Sequence, residues 1–287
     1  MAGRAHCGVP LRLGRAGRIV TALLASVRSR AEALAALEGG ATILDLKNPA
    51  AGALGRLPKR TIGEILGAVG GRRAVSATIG DVPLDPVRVA SAVDEMTKAG
   101  VDIVKIGIFD GALAPTLEAL ARRAAKGEHL VAVMFADRAP DFALVGQFAA
   151  AGFYGVMLDT ADKSAGPLTR HLSLPQLADF ISRARACGLL AGLAGSLRVE
   201  DVQHLVPLGP DYLGFRTALA SGQRDGPLDR DAVIRVRTAI EAASTKVPLA
   251  DADQVLPSSS ATAAAGAQSA ASSATAGSAG IRAATLR

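Results

Sequence analysis

The chain is unusually sparing with lysine. Seven of its 32 basic residues are Lys (Lys47, Lys59, Lys98, Lys105, Lys126, Lys163 and Lys246) and 25 are Arg. Generic surface charge is thus carried by arginine. Yet three of the seven lysines fall inside short apolar runs or in the turns that directly follow them: Asp45-Leu46-Lys47-Asn48-Pro49, Val104-Lys105-Ile106-Gly107 and Leu158-Asp159-Thr160-Ala161-Asp162-Lys163. A lysine that is desolvated or set beside another cation can give up its proton and attack a carbonyl to form a Schiff base; arginine cannot. Lys105 sits within an apolar run, where a charge is costly unless it is paired. The bland reading is a buried Lys–Asp pair, with Asp45 or Asp159 as the partner. Asp45 and Lys47 are two positions apart, so on a strand both point to the same face. Lys163 reads equally as an ordinary loop lysine.

These residues need a scaffold that gathers strand ends. Short runs at positions 19–25, 41–46, 74–79, 102–108, 130–135, 155–158, 189–193 and 212–215 are apolar throughout, as parallel strands covered on both faces are. Ala/Leu-rich stretches at helical spacing alternate with them and carry boundary signals. Ser29-x-x-Glu32 has the form of a capping box, and Gly39-Gly40 ends that stretch. Asp85-Pro86 sets an N-cap beside a first-turn proline, with the helix ending at Gly100. Ser173-x-Pro175 and Asp229 open two more. Eight alternations predict an α/β fold of the TIM (β/α)8 barrel type rather than an open sheet, and no GxGxxG follows a strand. Chemistry in such barrels sits where strands end. Gly195-Ser196 after the seventh run, and Gly214 with Arg216 at the eighth, occupy loops where barrels often hold phosphate. The glycines alone also read as simple turns.

Composition narrows the function further. The chain has 287 residues, is 49% hydrophobic and holds no Trp; aromatics make up only 3%. An aliphatic core fits a barrel and poorly fits single-strand nucleic-acid readers, which stack bases on aromatics. The formal charge of +6 is spread as single arginines with no basic stripe, compatible with drawing in an anionic metabolite. The four His are dispersed, so no zinc site is expected, and Cys7 and Cys187 show no CxxC spacing. A reducing cytosol is the default. The basic, acid-free segment 1–18 superficially resembles a targeting peptide, but the apolar run behind it is of strand length and a capped helix follows. It reads as an extension before a barrel domain over 19–246, and the Ala/Ser/Gly/Thr tract over 247–287 reads as a disordered tail. No run approaches the ~20 apolar residues that span a bilayer.

Taken in order, Asp45-Leu46-Lys47-Asn48-Pro49 with Gly52-x-Leu54-Gly55, Ser76-Ala77-Thr78-Ile79-Gly80-Asp81-Val82-Pro83, Lys105-Ile106-Gly107, Met157-Leu158-Asp159-Thr160-Ala161 with Lys163, and Leu193-Ala194-Gly195-Ser196 resemble the (5-formylfuran-3-yl)methyl phosphate synthase family. The family is also called 4-(hydroxymethyl)-2-furancarboxaldehyde-phosphate synthase. The resemblance covers roughly 20–237 and leaves out the extension and the tail. It implies a TIM barrel that condenses two molecules of glyceraldehyde 3-phosphate to a furan phosphate for methanofuran biosynthesis, with loss of phosphate and water. It implies Lys47 as the Schiff-base lysine with Asp45 accompanying it, Lys105 as proton acceptor, and Asp159 and Lys163 assisting. No metal, no cofactor, no nucleic acid and no membrane partner are implied, and a homo-oligomer is expected because barrels often assemble. Two other enzymes use similar parts. A class I aldolase shares strand-end lysines but not the long motifs. An orotidine-phosphate type decarboxylase shares D-x-K, but Ala50 stands where its last Asp belongs. A non-catalytic phosphometabolite-binding barrel would bind ligand without turnover and tolerate loss of its lysines.

Overall fold

The computed structural model describes residues 21–162, 164–221 and 226–246. The expected N-terminal extension, the expected tail, Cys7 and Lys163 lie outside the described residues. Eight strands run β1 (Ala22–Val27), β2 (Ile43–Leu46), β3 (Ala74–Thr78), β4 (Ile103–Gly107), β5 (His129–Phe135), β6 (Gly155–Asp159), β7 (Leu190–Leu193) and β8 (Tyr212–Phe215). Each pairs in parallel with the next. β8 returns to β1 through Ala22↔Tyr212 and Leu24↔Gly214, closing a TIM barrel.

Around it lie α1 (Arg30–Glu38), α2 (Lys59–Val69), α3 (Pro86–Ala99), α4 (Leu113–Ala124), α5 (Leu144–Ala150), the short α6 (Leu168–His171), α7 (Leu174–Ala186), the short α8 (Val202–Leu205) and α9 (Arg230–Thr245). The expected caps form at α3, where Asp85 accepts from Val87 and Arg88 N–H, at α7, where Ser173 pairs with Gln176, and at α9, where Asp229 accepts from Asp231 and Ala232 N–H. The Ser29 box is only half made. Ser29 accepts from Glu32 N–H, but the Glu32 carboxylate turns to Arg28 and Arg216 instead of Ser29 N–H. Charge-assisted bonds from the Arg28 and Arg216 guanidinium groups hold the carboxylate there, together with the Arg28 N–H.

The strands are apolar throughout because both faces are covered. Outward residues such as Leu44, Val75, Val104 and Ile106 join the layer beneath the helices, while inward Leu24, Ile43, Ile103, Val131, Met157 and Tyr212 form a separate inner cluster. Strand limits move by one to three positions from the sequence reading. β1 starts later and runs to Val27, which brings Ser26 inside the barrel opposite Asp45. Cys187 is exposed with a free thiol. Among the described residues no helix is long and apolar enough to cross a membrane.

Candidate active site

Register decides which inward side chains meet. Strands of a (β/α)8 barrel tilt, so side chains at one level come from alternate strands and shift by about one residue per strand. The pairings Asp45↔Ser76↔Ile103, Lys105↔Val131↔Gly155, Met157↔Gly192↔Tyr212 and Gly214↔Leu24↔Ile43 therefore put Asp45, Lys105, Met157 and Gly214 on one level. One level nearer the mouth come Lys47, Gly107, Asp159 and Arg216; one level deeper come Ile43, Ile103, Gly155 and Tyr212. Among the described residues, the even strands thus carry the charges in the barrel axis, stacked in two layers.

Contacts follow these levels. Lys105 Nζ lies 2.6 Å from Asp45 Oδ1, and Lys47 Nζ donates to Asp159 Oδ2 at 3.0 Å. All four are buried, with 2% (Lys105), 1% (Asp45), 7% (Lys47) and 5% (Asp159) of their surface exposed. Asp45 also accepts from Ser76 Oγ (2.7 Å) and Ser26 Oγ (3.2 Å), and Asp159 accepts from Thr160 N–H (2.8 Å). The buried Lys105–Asp45 pair is one of the two partners the sequence offered for Lys105, whereas the contact expected between Asp45 and Lys47 does not form. Asp45 holds Lys105, not its strand neighbour Lys47, because residues two apart on a strand share a face but not a level.

Burial holds the Lys105 ammonium below the usual lysine value. The Asp45 carboxylate opposes this, and the charge on Lys47 adds to it. An amine of this kind gives up its proton more readily than a surface lysine.

Above these pairs opens a cleft lined by both lysines and both aspartates together with Pro49, Ala194, Gly195, Ser196, Gly214, Arg216 and Thr217. The sequence-selected groups thus converge on one space, apart from Lys163, whose position lies outside the described residues. Gly214 adds no side chain to the wall, and Ser196 adopts a left-handed φ of 50°, uncommon for a residue with a Cβ. Arg216 is already engaged. Its guanidinium forms a bidentate pair with buried Glu32 (2.7 and 3.1 Å) and donates to the carbonyls of Ser26 (3.3 Å) and Gly226 (2.8 Å). This fastens β8 to α1 at the rim.

The opposite side of the mouth is closed by the β2–α2 loop. Ala53 and Leu54 join the inner cluster, and Asp81, just after β3, accepts from both of their N–H groups (2.8 and 2.6 Å). Gly52 has φ 108°, and a Cβ there would fall 2.2 Å from Asp81 Oδ2. Two sequence motifs thus lock one another. Asp137, beyond β5, does the same for the β6 loop by accepting from Ala161 N–H (2.8 Å) and Asp162 N–H (2.7 Å). The sequence reading missed Asp137. Its only signal is an acidic residue just past a strand end. Among the described residues no three His, Cys, Asp or Glu side chains gather as a metal site requires.

Solved structures establish the fold alone. The barrel is similar to thiamine phosphate pyrophosphorylase from Pyrococcus furiosus (TM-score 0.56, 13% identity, 79% of this chain and 98% of that one). It is equally similar to phosphoribosyl anthranilate isomerase from Thermus thermophilus (TM-score 0.56, 13% identity, 77% and 99%). Sequence comparison goes further. A Methylorubrum extorquens protein that carries the name (5-formylfuran-3-yl)methyl phosphate synthase provisionally is 42% identical over 223 residues, 77% of this chain and 90% of its own length. The (5-formylfuran-3-yl)methyl phosphate synthase of Methanopyrus kandleri is 37% identical over 74% of this chain and 95% of its own, and that of Archaeoglobus fulgidus 33% over 76% and 98%. The 4-HFC-P synthase profile matches residues 23–237, from β1 into α9, and the chain belongs to the 4-HFC-P synthase family.

Proposed function

We propose that this chain is a (5-formylfuran-3-yl)methyl phosphate synthase of methanofuran biosynthesis, a lyase that joins two molecules of glyceraldehyde 3-phosphate through a lysine imine. The observation that carries this is the pair of stacked lysine–carboxylate contacts at the floor of one cavity, Lys47–Asp159 above Lys105–Asp45.

Lys47, on the level nearer the mouth, meets the substrate carbonyl. As its proton is drawn away, the amine adds to the aldehyde carbon and expels water, leaving an imine that withdraws electrons from the neighbouring carbon. Lys105, buried below and held under its usual proton affinity, takes the proton from that carbon, with Asp45 steadying the ammonium that forms. The resulting nucleophile attacks the second triose. Closure of the ring oxygen onto the imine carbon then expels the Lys47 amine, and loss of one phosphate and a further water makes the ring aromatic. Asp159 orients Lys47 and shuttles protons, with Lys163 as the assisting amine that the family resemblance implies. Gly195, Ser196 and Gly214 receive a substrate phosphate, and Arg216 supports their loop while adding positive charge to the rim. The chain acts as a cytoplasmic homo-oligomer with no added cofactor.

The test is to incubate purified protein with glyceraldehyde 3-phosphate and follow furan absorbance together with phosphate release. Equimolar furan and phosphate support the reading. Ligand binding with neither product favours a binding barrel, and a carbon–carbon adduct without furan favours an aldolase.

A further inference from the structure

One side of the level that holds Lys47 is built by loops rather than by its strand. Lys47, Asp159 and Arg216 reach this level from β2, β6 and β8, whereas β4 brings Gly107, which has no side chain. The space beside Gly107 is filled all the same. A Cβ there would fall 2.3 Å from Phe109 Cε2 and 2.8 Å from Leu54 Cδ1. A glycine inside a strand often marks such a close approach. The edge of the Phe109 ring and a methyl group of Leu54 thus occupy the place that a β4 side chain would take opposite Lys47 and Asp159.

This apolar wall is held firmly. Leu54 is fully buried in the inner cluster, and Phe109 packs against the same cluster. The Phe109 ring lies 4.9 Å, centre to centre, from Phe135 on β5. The Arg138 guanidinium carbon sits 5.6 Å from the centre of the Phe109 ring and 5.4 Å from that of Phe135, within cation–π range. Leu54 is fixed in turn by its N–H bond to Asp81 (2.6 Å). The cleft is bordered by Gly195, Ser196 and Thr217 on the side of β7 and β8. The level of Lys47 is therefore apolar on its β4 side.

We propose that Phe109, backed by Leu54, keeps water from the Lys47 imine and so commits the first triose to carbon–carbon bond formation. Phe109 is a positioning residue that acts through Lys47, and its role rests on the imine chemistry proposed above. Once the carbon beside the imine has lost its proton, the intermediate has two courses. Its electron pair can attack the second triose. Alternatively, the nitrogen lone pair restores the C=N bond, the carbon–carbon double bond shifts toward the phosphate-bearing carbon, and phosphate leaves with the electrons of its C–O bond. One water, the number released when the imine formed, then frees Lys47 and leaves a three-carbon dicarbonyl. An apolar wall disfavours this second course, because water is needed to solvate the departing phosphate and to release the fragment.

The experiment compares phosphate and furan made from glyceraldehyde 3-phosphate by the full chain and by Phe109→Ala, Phe109→Gln and Phe109→Leu, with melting temperatures and borohydride trapping at Lys47. The unaltered chain should give equimolar products. Phe109→Ala should release phosphate in excess of furan by up to about tenfold, with the dicarbonyl making up the difference. Phe109→Gln keeps bulk at a half-buried position but brings hydrogen-bonding groups; it should show the same excess and decides the matter if Phe109→Ala does not fold. Phe109→Leu keeps an apolar group and should stay near equimolar. Phosphate and furan that fall together, still equimolar, in Phe109→Ala and Phe109→Gln would show that the ring only supports the fold and would overturn the proposal. An unaltered chain that gives neither furan nor an adduct at Lys47 overturns the synthase reading, and this inference with it.

Discussion

Asp45 Oδ1 stands 2.6 Å from Lys105 Nζ, two strands away, while Lys47 on the same strand as Asp45 is held at 3.0 Å by Asp159. Among the described residues, each of these four buried charges faces an opposite charge on its own level. Removing one member strands the other in a low-dielectric interior, which typically costs 3–5 kcal/mol, whereas replacing both by apolar groups of similar size is often neutral or stabilising. Asp45→Ala should therefore lower the urea midpoint sharply. The double variant Asp45→Leu/Lys105→Met should recover most of the loss and remain inactive. If the single and double variants are equally stable, the pair is not a buried ion pair.

The depressed proton affinity of Lys105 fixes the sign of a pH effect. Between its folded value and the ordinary lysine value, the unfolded chain binds the proton and the folded chain does not. Stability should then rise with pH across that window. Lys105→Met should remove this rise. Urea unfolding at intervals on the alkaline side measures it; an unchanged slope in the variant would assign the pH dependence to other groups.

Asp81 holds the loop that follows Lys47 through two N–H groups. Charge-assisted bonds of this kind contribute about 1.5–3 kcal/mol each at most. Asp81→Ala should cost stability of that order and reduce kcat, because Pro49 to Leu54 no longer close the mouth. Gly52→Ala should do the same for a steric reason, since its Cβ would lie 2.2 Å from the carboxylate that must stay. Normal turnover in both variants would show that this loop does not position the site.

Asp137 is the corresponding hold on the loop that follows Asp159. Partial burial raises its proton affinity, but the N–H groups of Ala161, Asp162 and Asp137 itself outweigh that and leave it below the usual carboxylate value. Its contribution is complete above the ordinary carboxylate range and is lost as pH falls through the depressed value. Asp137→Ala should lower kcat/KM by up to about a hundredfold through misplacement of the β6 loop. Asp137→Asn, which keeps one acceptor, should recover part of it. Steady-state kinetics of the two variants decide the point; equal loss in both would tie the effect to the charge alone.

Arg216 and Glu32 separate structural from binding roles. Arg216→Ala leaves buried Glu32 short of its bidentate partner and should destabilise by about 3–5 kcal/mol. Glu32→Gln/Arg216→Met should be milder. If Arg216 also draws phosphate, the double variant retains kcat and raises KM for the phosphorylated triose, an outcome that a purely structural role would not produce.

The barrel was legible because its strands are short apolar runs between well-marked helix starts, and the caps at Asp85, Ser173 and Asp229 form as their residues dictate. Lys47 and Lys105 were legible because lysine is scarce in this chain and falls in or just after apolar runs, and Asp45 and Asp159 because they stand in the same runs. Their pairing was legible only in part: Asp45 or Asp159 stood as the partner of Lys105, and Lys47 read as lying beside Asp45 rather than Asp159. Period two tells which face a side chain takes, whereas level depends on the tilt and closure of all eight strands. Glu32 read as a capping residue, and only the fold brings it to Arg216, 184 positions away. Asp137 carries only the weak signal of an acidic residue just past a strand end, because it matters through what a neighbouring loop presents to it.

The central claim is that Lys47 forms the covalent bond to substrate. The direct measurement is borohydride reduction of the protein with glyceraldehyde 3-phosphate, followed by peptide mass spectrometry. A reduced three-carbon phosphate adduct on the peptide bearing Lys47, absent in Lys47→Ala with at least a ~10³-fold loss of furan formation, is the predicted result. An adduct on Lys105 in its place, or full activity in Lys47→Ala, would contradict it.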